Sequence, residues 1–133
     1  MKSIQLSTSK RTQFLEISNQ VQAYVEETGL IDGAVMVFVP HTTAGVTVNE
    51  HADPHVMVDL DLVLDEVVPW TRRSYQHVEG NTAAHAKASL MGSSALVPVQ
   101  GGRLVLGTWQ GVFFCEFDGP RTRSCHMQVL SGA

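Results

Sequence analysis

Ile4, Leu6 and Thr8 alternate with polar neighbours near the start of the chain, the period of two expected of a strand with one buried face. The period then lengthens. Phe14, Ile17, Val21 and Tyr24/Val25 recur at steps of three and four residues, which predicts an amphipathic helix, and Gly29 is placed to end it in the left-handed conformation. Ala34 to Val39 is an unbroken apolar run rich in valine, as in a strand covered on both faces, and Pro40 marks its end. The clearest alternation follows in His41-Thr-Thr-Ala-Gly-Val-Thr-Val-Asn-Glu50. In an extended chain Ala44, Val46 and Val48 point to one side and His41, Thr43, Thr47 and Asn49 to the other. Such a polar row suits the wall of a polar site, or a strand that uses threonine for its β preference.

Asp53-Pro54 reads as an N-cap with proline in the first helical turn, where its missing N–H costs nothing. The helix it opens has Val56, Leu60, Val63, Leu64 and Val67 as its predicted buried stripe and stops at Pro69. Asp59, Asp61 and Asp65 fall outside that stripe, and the last two are like charges four residues apart, either solvated or relieved by a cation. Thr71 to Val78 reads as a loop that brings Tyr75 and His77 to a third helix, capped by Asn81 and ended by Gly92. On that helix Asn81, His85 and Ser89 share one face among small alanines, which makes it either a packing helix or the carrier of a polar site. The remainder is β: Ala95 to Val99, Arg103 to Leu106, Val112 to Phe117 and Arg123 to Leu130, with turns at Gly101-Gly102 and Asp118-Gly119-Pro120. In the last pair of strands, Phe113, Cys115 and Phe117 are expected to face Cys125, Met127 and Val129.

With 133 residues, one domain spanning 1–133 and one core are expected. There is no apolar run approaching ~20 residues, so no membrane span is expected, and Met1 to Ser9 lacks the apolar stretch of a signal peptide. Cys115 and Cys125 lack a Cys-x-x-Cys spacing and suit reduced core thiols of a cytoplasmic protein. The net charge of −4 argues against general nucleic-acid binding, which needs a basic surface. The charge is unevenly placed. No Lys or Arg lies between Arg11 and Arg72, where ten acids fall, and the later half carries Lys87, Arg72, Arg73, Arg103, Arg121 and Arg123. Either the two halves stay apart as solvated faces, or carboxylates able to hold a divalent cation meet basic groups able to hold phosphate.

A Gly-rich phosphate loop, a nucleophile elbow, a His-Glu-x-x-His pair and a dinucleotide fingerprint are all lacking, so any active groups must be dispersed along the chain. His51 and His55 have the spacing of a two-histidine metal pair, but Pro54 places a helix start between them. Arg121 and Arg123, two apart beside a Gly-Pro turn, suit a fork for phosphate or carboxylate, or a salt bridge to Asp118 or Glu116.

Taken together, His41-Thr-Thr-Ala, Asn49-Glu50 with Asp53-Pro54, Glu79-Gly80-Asn81, Ala84-His85-x-Lys87, Gly107-Thr-Trp-Gln-Gly111 and Gly119-Pro120-Arg121-x-Arg123 resemble the YjbQ-like family, also called the secondary thiamine-phosphate synthase family. The resemblance covers nearly the whole chain. It implies an α+β domain with a mixed or mostly antiparallel sheet, about three helices, assembly as a homotrimer, and an ability to join a pyrimidine pyrophosphate to a thiazole phosphate. It also implies a site set. His85, Lys87, Asn81, His41 and His77 would be the catalytic groups; Arg121, Arg123, Thr42, Asn49, Trp109 and Gln110 would bind substrate; Glu50 and Asp53 would be metal ligands.

The expected mechanism has Lys87, Arg121 and Arg123 gripping the departing pyrophosphate, with a Mg²⁺ held by Glu50 or Asp53 sharing the charge and His85 as acid or donor. Trp109 and Gln110 would stack on and hydrogen-bond a flat ring, or Trp109 would be structural. Two alternatives stand beside it. One is a trimeric binding module for a phosphorylated small molecule, and the other is a hydrolase with Zn²⁺ gathered by His41, His77 and His85.

Overall fold

The computed structural model describes residues 1–132. In chain order its elements are β1 (Lys2–Ser7), β2 (Gln13–Glu16), α1 (Ser18–Thr28), β3 (Gly33–Phe38), β4 (Ala44–Glu50), α2 (Pro54–Val67), α3 (Thr82–Met91), β5 (Ser94–Gln100), β6 (Arg103–Leu104), β7 (Gln110–Glu116) and β8 (Thr122–Leu130). The strands form two antiparallel sheets, ordered β1-β8-β3-β5-β6 and β2-β7-β4. This is, among the described residues, an α+β fold with three helices. Among the described residues no helix is long and apolar enough to cross a membrane.

The smaller sheet is buried on both faces, which explains why β7 is apolar at consecutive positions rather than alternate ones. Val112 and Phe114 point into the core formed with α1 and the inner face of the larger sheet, where Val21, Val25, Val35, Val37, Val97 and Met127 pack. Phe113, Cys115 and Phe117 point the other way, onto Met57 and Leu64 of α2 and Ala84 and Ala88 of α3. The last two strands therefore do not pair as expected. β7 joins β2 and β4, β8 joins β1 and β3, and the Asp118-Gly119-Pro120 turn carries the chain from one sheet to the other. Burial pushes the Cys115 thiol up to about 12 and the Cys125 thiol up to about 11, so both stay protonated inside the core.

Several local expectations shift for tertiary reasons. Phe14 is not helical. Gln13–Glu16 completes the edge of β7, pairing Phe14 with Cys115, and the Phe14 ring meets Phe117 edge-on at 6.1 Å. The helix begins at Ser18, while Gly29 ends it at φ 75° as predicted. The Asp53 cap holds, its carboxylate accepting from the His55 amide at 2.9 Å. The buried stripe of α2 is rotated from expectation: Met57 and Leu64 are buried with Leu60 beside them, whereas Val63 and Val67 are 50% and 64% exposed. Arg103 to Leu106 shortens to a two-residue strand closing a hairpin through Gly101 and Gly102, both with positive φ.

One close approach governs the space around α3. A Cβ on Gly45 of β4 would lie 2.7 Å from the Gly92 carbonyl oxygen and 3.0 Å from the Met91 Cβ. The polar side of β4 is therefore closed by α3 at Gly45, while Thr42 ahead of the strand and Asn49 near its end are exposed.

Candidate functional site

Three segments meet at one end of the sheets: the Pro40–Thr43 connection into β4, the His77–Asn81 loop ahead of α3, and the Asp118–Arg123 passage between sheets. Together they line a hollow of about 390 Å³. Of the predicted site residues, His41, Thr42, His77, Asn81, His85, Arg121 and Arg123 are brought together there. Tyr75 serves only to pin the loop, its hydroxyl donating to the Pro69 carbonyl at 2.8 Å.

The floor is an ion pair. Arg123, 4% exposed, donates from Nε to Glu116 Oε2 at 2.7 Å, from Nη2 to Glu116 Oε1, and from Nη2 to Thr43 Oγ1 at 2.8 Å. Glu116 is fully buried and also accepts from Thr8 Oγ1 at 2.9 Å and from the Asp118 amide at 2.9 Å. Burial alone would push its pKa up, but the hydrogen bonds from Arg123, Asp118 and Thr8 outweigh burial and hold it below the ordinary 4.5. Arg121 is similarly engaged, with Nε on the Asp118 carbonyl and Nη2 on the Asp118 carboxylate, both at 2.8 Å. Of the two readings of these arginines, an anion fork or a salt bridge to Asp118 or Glu116, the salt bridge is present at both. Each keeps Nη1 without a hydrogen-bond partner among the described residues, and each lines the hollow. An anion here would be held by directed N–H groups more than by a strong positive field.

Three histidines also line the hollow. His41 Nε2 accepts from the Ser124 amide at 2.9 Å, which leaves the ring proton on Nδ1. Burial, and then the charge of Arg123, hold its pKa below 6.5 and keep it neutral near pH 7. His77 and His85 meet edge to face with ring centroids 5.2 Å apart. Asn81 stands at the cap position of α3 without capping it. Its Nδ2 instead donates to Asp118 Oδ2 at 2.9 Å, and its Oδ1 is buried with no partner among the described residues. A buried acceptor left unpaired costs about 1–3 kcal/mol, which a donor on a ligand would offset.

Other predicted residues lie elsewhere. Lys87 is buried beneath α3, on the side away from the hollow, where its Nζ donates to Asp65 of α2. That pair answers the question of the stacked aspartates: the cation beside them is a lysine. Asp61 remains next to it, pushed up by burial and by the Asp65 charge. Asn49, Glu50, Trp109 and Gln110 sit at the far end of β4, about 20 Å along a seven-residue strand at roughly 3.3 Å per residue. There Gln110 Oε1 accepts from the Gly107 amide at 2.8 Å, and Trp109 is 63% exposed. His51 pairs with Glu16 and His55 with Asp53, so the two histidines have separate partners.

The residues do not fit a metal in the expected way. Glu50 accepts from the Ala52 amide and Asp53 caps α2, neither in the hollow, and among the described residues no three His, Cys, Asp or Glu side chains are placed to hold a metal ion. The structure also adds Thr8, which nothing in the sequence marked for the site, donating to Glu116. Thr43 belongs to the polar row expected to wall a site, and Glu116 and Asp118 are the acids expected as salt-bridge partners of the two arginines.

A two-sheet α+β domain with a histidine- and arginine-lined hollow at the sheet ends defines the class of this protein. The model of the family described as UPF0047 protein YjbQ-like matches residues 2–132, and the chain belongs to that family. It is 51% identical over 130 residues to the UPF0047 protein YugU of Bacillus subtilis, covering 98% of each chain. It is 41% identical over 128 residues to a UPF0047 protein of Methanocaldococcus jannaschii, covering 95% of this chain and 91% of that one. The crystal structure of a YjbQ/UPF0047 protein from Clostridium acetobutylicum superposes with a TM-score of 0.96 at 50% identity, covering 98% of this chain and all of that one. A YjbQ-like protein from Sulfolobus solfataricus gives 0.94 at 34% identity, covering 98% of this chain and 96% of that one.

Proposed function

We propose that the hollow holds a phosphorylated small molecule and that the reaction run there joins a pyrimidine pyrophosphate to a thiazole phosphate. The observation that carries the reading is the meeting of Arg121, Arg123, His41, His77, His85 and Asn81 in one cavity from three separate stretches of chain. In this reaction the bond between the pyrimidine methylene carbon and pyrophosphate breaks, pyrophosphate leaves with the electron pair, and the thiazole nitrogen forms the new C–N bond. The free Nη1 groups of Arg121 and Arg123 would hold phosphate oxygens as negative charge builds on the leaving group. His85 would supply a donor or a proton to those oxygens, and His41 a fixed Nδ1–H. Lys87 has no part in this version, and no step is assigned to Mg²⁺ or Zn²⁺.

Purified protein given both precursors is expected to release thiamine phosphate and pyrophosphate, measured by chromatography. Arg121→Ala should lower kcat/KM by at least about tenfold, a loss of roughly 1.4 kcal/mol in transition-state stabilisation. Failure to form product at high enzyme concentration would remove the transferase. The engagement of both arginines by carboxylates favours a second reading, a non-catalytic module that binds a phosphorylated molecule, and phosphate binding without turnover would select it. Assembly as a homotrimer belongs to the same proposal. The outer face of the larger sheet, where Leu96 is 65% exposed beside Phe38 and Leu130, is apolar surface that assembly would cover. Light scattering should report a mass near three chains.

A further inference from the structure

The hollow at the arginines shares a wall with a second one. His41, Thr42 and His85 line both, and the second, of about 480 Å³, continues along the groove between α3 and β4. Its remaining walls are Ala44, Ala88, Ser89, Gly92 and Ser93. The two differ sharply in chemistry. The first contains Arg121, Arg123, Asp118 and Glu79, whereas the second has no Lys, Arg, Asp or Glu in its lining. Small side chains create the space, since α3 is drawn onto β4 at Gly45 and still leaves room beside Ala88 and Ser89. What lines it is methyl and methylene surface, a few hydroxyls and the imidazoles of His41 and His85. Ser89 Oγ donates to the His85 carbonyl at 3.0 Å, so its lone pairs stay available to a donor.

We infer that the two hollows form one divided site, in which a phosphate ester places its phosphoryl group at Arg121 and Arg123 and its uncharged organic part across His85, between Ala88 and Ser89 of α3 and the start of β4. The inference rests on the phosphate reading above and adds the substrate class: an ester with a compact, uncharged, moderately polar body. A free anion fills only half of such a site. A ligand charged at both ends would leave one charge in the second hollow without a carboxylate, lysine or arginine beside it, at a desolvation cost that an uncharged body avoids. Seating the body also adds buried contact area to the directed N–H groups of two arginines that lack a strong positive field.

Calorimetric titration of the full chain separates the two levels of the argument. The probes are inorganic phosphate and a thiazole phosphate monoester, and the proteins are wild type, Arg121→Ala, Ser89→Trp and Ser93→Phe. Residues 89 and 93 are both exposed, so large side chains there enter the second hollow without entering the core, and an unchanged melting temperature confirms it. In wild type the ester should bind at least about tenfold more tightly than phosphate. Ser89→Trp and Ser93→Phe should erase that margin while phosphate affinity stays as in wild type, and Arg121→Ala should weaken both probes. A margin that survives both bulky variants, or an ester bound no more tightly than phosphate, overturns the divided site and leaves the phosphate reading standing. Failure of wild type to bind either probe overturns both.

Discussion

At the scale of single residues, the site is organised by Glu116. It turns Arg123 from a free cation into a fixed one, and through Thr8 and the Asp118 amide it ties β1, β7 and β8 to one point. Glu116→Gln leaves a buried guanidinium without its counter-charge and should destabilise the fold by about 3–5 kcal/mol, read as a lower denaturation midpoint. The pH dependence has a definite sign. Because its folded pKa is depressed, Glu116 contributes stability that is present above 4.5 and lost as pH falls through the folded value, so denaturation midpoints should decline in acid, and less steeply in Glu116→Gln. The arginine fork illustrates what a linear sequence conceals. Arg121 and Arg123 were legible either as an anion fork or as partners of Asp118 and Glu116, and which acid each arginine takes depends on the turn that carries the chain from β7 to β8.

At the scale of elements, periodicity located the helices and most strands correctly and failed where two partners competed for one side chain. Phe14 fits the helical spacing, yet β7 has an open edge that Gln13–Glu16 fills, and strand pairing prevails over local pattern. In α2 the sequence offers apolar residues around most of the helix, so the pattern did not define which arc is buried. Tertiary contacts select Met57, Leu60 and Leu64. Leu64→Ala should therefore cost about 2–5 kcal/mol, whereas Val67→Ala should stay within about 0.5 kcal/mol of wild type in the isolated chain, both measured by urea denaturation. Equal losses at the two positions would show that α2 is turned differently. Val58 and Leu62, 63% and 60% exposed, complete the arc that this chain leaves uncovered.

At the scale of the molecule, the candidate residues fall into two groups at opposite ends of β4, His41 and Thr42 with the arginines at one and Asn49, Glu50, Trp109 and Gln110 at the other. Their dispersal along the chain was legible in the sequence, but their division in space was not, because that depends on a strand running straight between them. Lys87 belongs to neither group. Lys87→Met should alter thermal stability by removing the pair with Asp65 but leave affinity for inorganic phosphate unchanged in calorimetry, and a tenfold loss of phosphate affinity would return the lysine to the site. The contact at Gly45 reaches further. Because the Gly92 carbonyl oxygen stands only 2.7 Å from where any other residue would carry its first side-chain carbon, the gap between strand and helix is set by a hydrogen atom. An alanine introduced there would act as a wedge beside the second hollow, levering His85 outward and changing the width of both compartments together.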